Sequence, residues 1–263
     1  MNKENKQQQE QILDYLIGYL LNEDKRYKGF IAPDGFDEKL RILRSLMNVR
    51  MPKPIGNDFV STQDELLQSV ITEKGITDVA DLKPIKDGLY LWRGDITTLK
   101  VDAIVNAANS GMLGCFEPCH SCIDNAIHSY AGVQLRLSCA DIMERQGEPE
   151  AIGRAKITFA YNLPSKYILH TVGPIVSGKV TDEDRLLLAG CYRSCLELSE
   201  QNEIKSVAFC CISTGVFHFP NEEAAEIAVK TVSDFLIHSS QIKKVVFNVF
   251  TERDEQIYKR LLG

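Results

Sequence analysis

The chain has 263 residues, 44% hydrophobic and 25% charged, which is ordinary for a soluble globular protein and excludes wholesale disorder or a fibrous repeat. Thirty Lys and Arg against 36 Asp and Glu leave a formal charge of −6, so the broad basic surface that dominates nucleic-acid affinity is missing. The apolar stretch over 12–21 carries Asp14, is too short to span a bilayer and has no small-residue cleavage site behind it, so no membrane partner is expected and the chain reads as cytoplasmic, with reduced thiols.

Polar residues 3–11 read as a frayed end. Next, Ile12, Leu13, Leu16, Ile17, Leu20 and Leu21 make one apolar helix face, and Leu40, Leu43 and Met47 continue in a second helix that Met51-Pro52-Lys53-Pro54 breaks. Ser61 or Thr62 is expected to cap a third helix through Leu66, Leu67 and Val70, stopped by Gly75, with a short turn over 78–82. These helices carry no recognisable chemistry, and their apolar faces call for a cover. A division into a helical extension, 1–86, and a second unit, 87–263, follows from the change of pattern there.

From Leu89 onward the pattern alternates. Strand-like runs fall at 89–92, 103–105, 156–161, 167–172, 207–212 and 245–250; helical patterns fall at 123–130, 134–146, 185–200, 222–237 and 254–262. This order predicts an α/β fold in three layers, α/β/α, with a mixed, mostly parallel central sheet and the helical extension packed on it. Ligands of such sheets bind beyond the carboxyl ends of the strands.

Three segments sit at those ends: Gly94-Asp95-Ile96-Thr97, Asn106-Ala107-Ala108-Asn109-Ser110 and Ile212-Ser213-Thr214-Gly215-Val216-Phe217. Small residues let successive backbone N–H groups approach a phosphate, with no lysine needed. Singly, each is a common connector. A fourth segment is more unusual: Cys115, His120 and Cys122 place two thiols and an imidazole within eight residues, the side chains that zinc prefers. Cys119 is available as a fourth ligand, which would make a closed structural clip; three ligands would leave a position open for water or substrate. Asp124 follows at the head of a helix, where an acid serves either catalysis or the helix dipole. Of the other cysteines, Cys191, Cys195, Cys210 and Cys211 read as packing, and so do His170 and the single Trp92, while His128 either backs the metal loop or faces solvent.

Together, in this order and spacing, the three motifs and His170-Thr171-Val172-Gly173-Pro174 resemble the macrodomain family over about 89–262. The Cys/His loop resembles that of zinc-dependent, sirtuin-linked macrodomains of bacteria and fungi. The resemblance implies an ADP-ribose cleft in which Asp95 accepts from the adenine amino group with Ile96 beside it. It also implies that Ser213, Thr214, Gly215, Val216 and Phe217 wrap the diphosphate, that Asn109 contacts the distal ribose, and that Asn125 holds ribose or diphosphate. One zinc ion on Cys115, His120 and Cys122, with Asp124 and Asn109 in catalysis, implies a hydrolase that removes mono-ADP-ribose from acidic side chains of proteins. A reader that binds without cleaving and an esterase acting on acyl-ADP-ribose are the alternatives. The implied partners are a mono-ADP-ribosylated protein, a lipoyl carrier, and the sirtuin-type ADP-ribosyltransferase that modifies it.

Overall fold

A computed structural model describes residues 3–263. Helices α1 (Lys3–Asn22), α2 (Phe36–Val49) and α3 (Asn57–Lys74) come first. Their apolar stripes meet in a second core cluster, which Val133 joins from further along the chain, with Leu13, Leu16, Leu43, Phe59 and Leu66 almost without exposure. Residues 3–11, expected as a frayed end, belong to α1 instead, and Gln9, buried along α3, donates to Ser69 Oγ at 2.6 Å. The expected capping of α3 by Ser61 or Thr62 is also corrected. The helix starts at Asn57, and both hydroxyls lie inside it, bonding back to the Asp58 carbonyl at 3.2 and 2.7 Å. Beyond Gly75, whose φ of 88° ends α3, Thr77–Asp78 form a two-residue strand, β1, where only a turn was expected. The chain then turns over 79–82.

Strands β2 (Leu89–Arg93), β4 (Ala103–Ala108), β5 (Ala155–Phe159), β6 (Tyr167–Val172), β7 (Ser206–Phe209) and β8 (Lys244–Val249) build one sheet in the order β2-β8-β7-β4-β6-β5. The short β3 (Leu99–Lys100) pairs in parallel with β1. Every neighbour in the main sheet is parallel except β5, which runs antiparallel to β6. Helices α4 (Ile123–Ala131), α5 (Val133–Gln146), α6 (Asp182–Gln201), α7 (Asn221–His238) and α8 (Glu252–Leu262) complete the alternation. The expected mixed, mostly parallel sheet is therefore present. Strands buried on both faces explain the continuous apolar runs Ile104-Val105 and Val245-Val246-Phe247, all at 0 or 1% exposure.

Because β2, β4, β6, β7 and β8 share one direction, their carboxyl ends lie along one edge. The turns that follow them at Gly94, Asn109, Gly173, Cys210 and Phe250 share that edge. Among the described residues no helix is long and apolar enough to cross a membrane.

Polar contacts seat the first three helices on α4 and α5. The fully buried Gln63 of α3 accepts the Val133 N–H at 2.9 Å and donates to Gln134 Oε1 at 2.8 Å, so it satisfies the start of α5, which has no side-chain cap of its own. Asp64 accepts from Gln134 Nε2 and, at 2.6 Å, from Asn162 Nδ2. Arg136 of α5, itself buried, donates from Nη1 to the carbonyls of Met47, Asn48 and Arg50 at the end of α2. Gln63→Leu keeps the bulk and leaves these amides unpaired, which should lower the unfolding free energy by ~1–3 kcal/mol. Urea unfolding measures this, and an unchanged midpoint would show that the apolar faces alone seat α3.

Candidate active site at the carboxyl edge of the sheet

At the end of β2, Gly94 is fixed by its neighbours: a Cβ there would lie 2.4 Å from the Trp92 ring. Its N–H donates to Val249 O at 3.1 Å, so the turn is tied to the end of β8. Asp95 then caps the short 3-10 turn Ile96–Thr98 through Oδ1, which accepts from Thr97 N at 3.0 Å and Thr97 Oγ1 at 2.6 Å. Its Oδ2 accepts from Lys74 Nζ at 2.7 Å. Burial works to raise the Asp95 pKa, but the Lys74 ammonium and Thr97 outweigh it and hold the carboxyl below its usual range. Ile96 is buried behind the turn.

The loop after β7 is shaped for an anion. Ser213 adopts a left-handed backbone, φ 64°, and its Oγ packs so closely on Gly173 that a Cβ there would lie 2.0 Å away. The glycine of the His170-Thr171-Val172-Gly173-Pro174 run thus serves this contact. Ser213 O accepts from Phe219 N at 3.0 Å and Phe217 O from Val176 N at 2.9 Å, which pins both ends of the loop. Between them, the N–H groups of Gly215, Val216 and Phe217 meet no acceptor among the described residues, and Val216 is 59% exposed. Thr214 Oγ1 turns back to Cys211 O at 3.0 Å. Consecutive free N–H groups in a turn form an anion nest.

At the end of β4, Asn106 and Asn109 both face α4. Asn106, fully buried, donates from Nδ2 to Asp124 Oδ1 at 2.8 Å; Asn109 donates to Asp124 Oδ2 at 3.3 Å and to Gly114 O at 3.2 Å. Burial pushes the Asp124 carboxyl up to about 6, against the pull of the Asn106 amide and the Arg136 charge. An acid that sits at the helix head for the dipole alone would stay in water; Asp124 is 5% exposed.

Cys115, His120 and Cys122 bring one ligand atom each within 4.8 Å of one another, half-buried beside Asp124. Cys119 does not join them. Its Sγ donates to the Arg41 carbonyl at 3.4 Å and lies 3.2 Å from Ser45 Oγ, on the α2 side. Cys122 also caps α4, its Sγ accepting the Asn125 N–H at 3.4 Å. Burial raises the Cys122 thiol pKa, the Asn125 N–H pulling the other way. Two thiols and an imidazole in a half-buried trio fit zinc, and the retracted Cys119 leaves the set at three.

Asn125 is fully buried, with Nδ2 donating to Glu117 O at 2.9 Å and Oδ1 accepting from Arg44. Its amide therefore faces the loop and α2. His128 does not face solvent: it is buried under Gly114, 3.6 Å from Asp124, and burial, then His170 and Arg136, keep it neutral. His128, Cys139 and His170 form a second close trio, but both nitrogens of His170 are engaged, by Asn106 Nδ2 at 3.2 Å and Thr158 Oγ1 at 2.9 Å, which makes it a packed polar residue. His218 and His238 are exposed. All eight cysteines are free, and Cys191, Cys195 and Cys210 are buried.

Residues 105–228 match the family model of the Macro domain. The chain is 58% identical over 253 residues to a protein-ADP-ribose hydrolase of Treponema medium, covering 95% of this chain and 97% of that protein. A second protein-ADP-ribose hydrolase, from Staphylococcus aureus, is 51% identical over 249 residues, 94% of this chain and 93% of its own length. The chain belongs to the macrodomain family, among the protein-ADP-ribose hydrolases. A macrodomain of Oceanobacillus iheyensis, solved as a variant with ADPR, superposes with a TM-score of 0.62 at 40% identity over 69% of this chain and 95% of its own. A Trypanosoma brucei macrodomain in complex with ADP-ribose gives 0.66 at 28% identity, covering 84% and 95%. A probable bifunctional ADP-ribose hydrolase/ADP-ribosyltransferase of Fusarium oxysporum f. sp. cubense is 42% identical over 259 residues, and this macrodomain spans 43% of it.

Several residues at the macrodomain edge were given no role by the sequence: Asn106, Lys74, Arg44 and Phe250. Phe250 is 79% exposed directly after β8, beside the Gly94 turn, and an apolar ring left in water at a strand's carboxyl end is the signal that marks it. Asn106 was within the Asn106-Ala107-Ala108-Asn109 motif, on the alternate face from Ala107. Lys74 and Arg44 come from the helices and have no local signature.

Burial alone brings His170 down to about 3. The unfolded chain takes up a proton there near its ordinary value of 6.5 and the folded chain refuses it, so the stability His170 contributes is complete above about pH 6.5 and declines as pH falls toward 3. Wild type should lose up to ~1.4 kcal/mol more per pH unit than His170→Gln between about pH 6 and 4. Parallel urea titrations of the two proteins measure the difference, and parallel curves would mean that His170 is protonated in the folded state.

Proposed function

We propose that the chain is a zinc-dependent hydrolase that removes mono-ADP-ribose from acidic side chains of modified proteins. One observation carries this reading: the three-ligand cluster Cys115, His120 and Cys122, with Cys119 turned away, stands beside a buried acid, Asp124, held by Asn106 and Asn109. The domain division at 86/87 is part of the proposal; most apolar residues of α1–α3 cluster together, joined by Val133 from beyond the division, which supports it.

ADP-ribose spans the edge. Asp95 accepts from the adenine amino group with Ile96 beneath it, and Phe250 offers a flat apolar face next to that turn. The N–H groups of Gly215, Val216 and Phe217, with Ser213 and Thr214 fixing the loop, take the diphosphate. This means of holding phosphate suits a chain of net charge −6. Asn109 contacts the distal ribose, and Asn125 holds ribose or diphosphate from the first turn of α4 while its side chain braces the loop through Glu117 O.

Cleavage breaks the bond between the ribose anomeric carbon and the carboxylate oxygen, while a water oxygen bonds to that carbon. Asp124 orients the water and accepts its proton, a role that its raised pKa favours. Cys115, His120 and Cys122 would hold the zinc, which when bound would supply Lewis-acid activation of a water or a ribose hydroxyl beside Asp124. The departing group is a carboxylate, stable as an anion, so no acid behind it is required. A sirtuin-type transferase and a lipoyl carrier complete the proposed partner set; the fungal relative whose name joins hydrolase with transferase supports the pairing of activities.

The test is release of ADP-ribose from a carrier modified on a Glu or Asp side chain, with and without chelator. Chelator and Cys122→Ser should each cut release by at least ~100-fold, and Asp124→Asn by ~100- to 10,000-fold, while ADP-ribose binding stays within a few-fold. Binding with no turnover in any state would make the protein a reader. Release that ignores the chelator would make the metal structural or dispensable, and faster release from acyl-ADP-ribose than from the carrier would move the activity to an esterase.

A further inference from the structure

One face of α2 is given over to the metal loop. Arg41, Arg44, Ser45 and Asn48 follow each other at i, i+3, i+4 and i+7, so they line one side of the helix. All four touch the loop or its helix. Asn48 Oδ1 accepts the Cys119 N–H at 2.9 Å, and its Nδ2 donates to Ser129 Oγ of α4 at 3.0 Å. Ser45 and the Arg41 carbonyl hold the Cys119 thiol. This grip keeps Cys119 in a left-handed backbone, φ 53°, that a residue with a side chain seldom adopts unaided, and so carries the chain round to present His120.

Arg44 makes the most specific contacts. Its Nη2 donates to the carbonyl of His120 at 3.0 Å, and Nε and Nη2 donate to Asn125 Oδ1 at 3.1 and 2.6 Å. Asn125, so oriented, passes its own Nδ2 to Glu117 O at 2.9 Å. One guanidinium thus clamps the backbone of the middle ligand and, through Asn125, both the approach to it and the first turn of α4 after Cys122. A planar fork suits acceptors on two sides; an ammonium offers a single point.

We propose that Arg44, from outside the segment that carries the ADP-ribose motifs, is the positioning residue of the metal site: it sets the spacing of Cys115, His120 and Cys122 before a metal arrives. The inference rests on the reading of those three as ligands. Groups that hold metal ligands in place commonly change metal affinity by about 10- to 100-fold when removed. A residue that merely glues α2 to α4 would change stability and leave affinity alone.

The experiment compares zinc affinity of the full-length wild type, Arg44→Met and Arg44→Lys by competition with a chromogenic chelator, alongside thermal unfolding of each metal-free protein. Arg44→Met should bind zinc about 10- to 100-fold more weakly, Arg44→Lys should recover only part of the loss, and the metal-free midpoints should stay within about 5 °C of one another. Affinity within twofold of wild type in Arg44→Met overturns the assignment, and so does a loss that Arg44→Lys restores in full or that merely follows a collapsed metal-free midpoint. Should Arg44→Met not fold, Arg44→Lys against wild type decides on the same criterion, a loss of at least about threefold being required. A wild type that takes up no zinc removes the ligand reading itself and this inference with it, whereas intact wild-type binding with an unaffected variant removes only Arg44.

Discussion

A guanidinium taken out of water needs acceptors for its N–H groups, and Arg136 finds them on two sides. Nη1 closes the end of α2 on three carbonyls, where the helix dipole already favours positive charge, while Nε takes Leu113 O at 2.6 Å just before the loop that carries Cys115, His120 and Cys122. Its Cζ lies 4.3 Å from the centre of the Phe116 ring inside that loop. Burial lowers its pKa to about 10, partly offset by the Asp124 charge, so the cation persists at any physiological pH. Remove it and the end of α2, the start of the loop and the counter-charge to Asp124 are all left without a partner at once.

From that junction the division of labour along the edge follows. The proposed adenine and diphosphate contacts need only turns at the ends of parallel strands, where backbone geometry supplies the donors and small residues keep the path open. The chemistry at the other end needs side chains in fixed places. These stand on a loop that is not a regular element, and it owes its shape to α2 behind it. The helices at the start are therefore a wall of the site as well as a cover for apolar surface.

This division also explains what the sequence could tell. Strand and helix positions from Leu89 on were legible because a fully buried parallel sheet writes continuous apolar runs, and the three edge motifs were legible because each turn is local. The clustering of Cys115, His120 and Cys122 was legible for the same reason, the three lying within eight residues. The cross-links were not. Arg44 and Asn125 are 81 positions apart, Lys74 and Asp95 are 21, and Gln63 caps a helix 70 residues on; no local pattern encodes such pairs. The start of α3 was misplaced because Ser61 and Thr62 carry the side chains of caps but spend their hydroxyls on Asp58 within the helix.

Asp124 shows how context decides between two readings of one residue. As an acid at a helix start it gains from the dipole whatever else it does, and that gain is largest when the carboxylate is charged. Burial opposes its charge and raises its pKa to about 6 against the pull of the Asn106 amide, and the two amides that hold it, from Asn106 in β4 and Asn109 just after it, do not come from the first turn of its own helix. A cap would take its hydrogen bonds from that turn, yet the bond there is made by Cys122 instead. The helix thus has its cap without Asp124, and the structure keeps a buried carboxyl, its pKa raised by burial, two residues from Cys122 in the Cys115, His120 and Cys122 cluster.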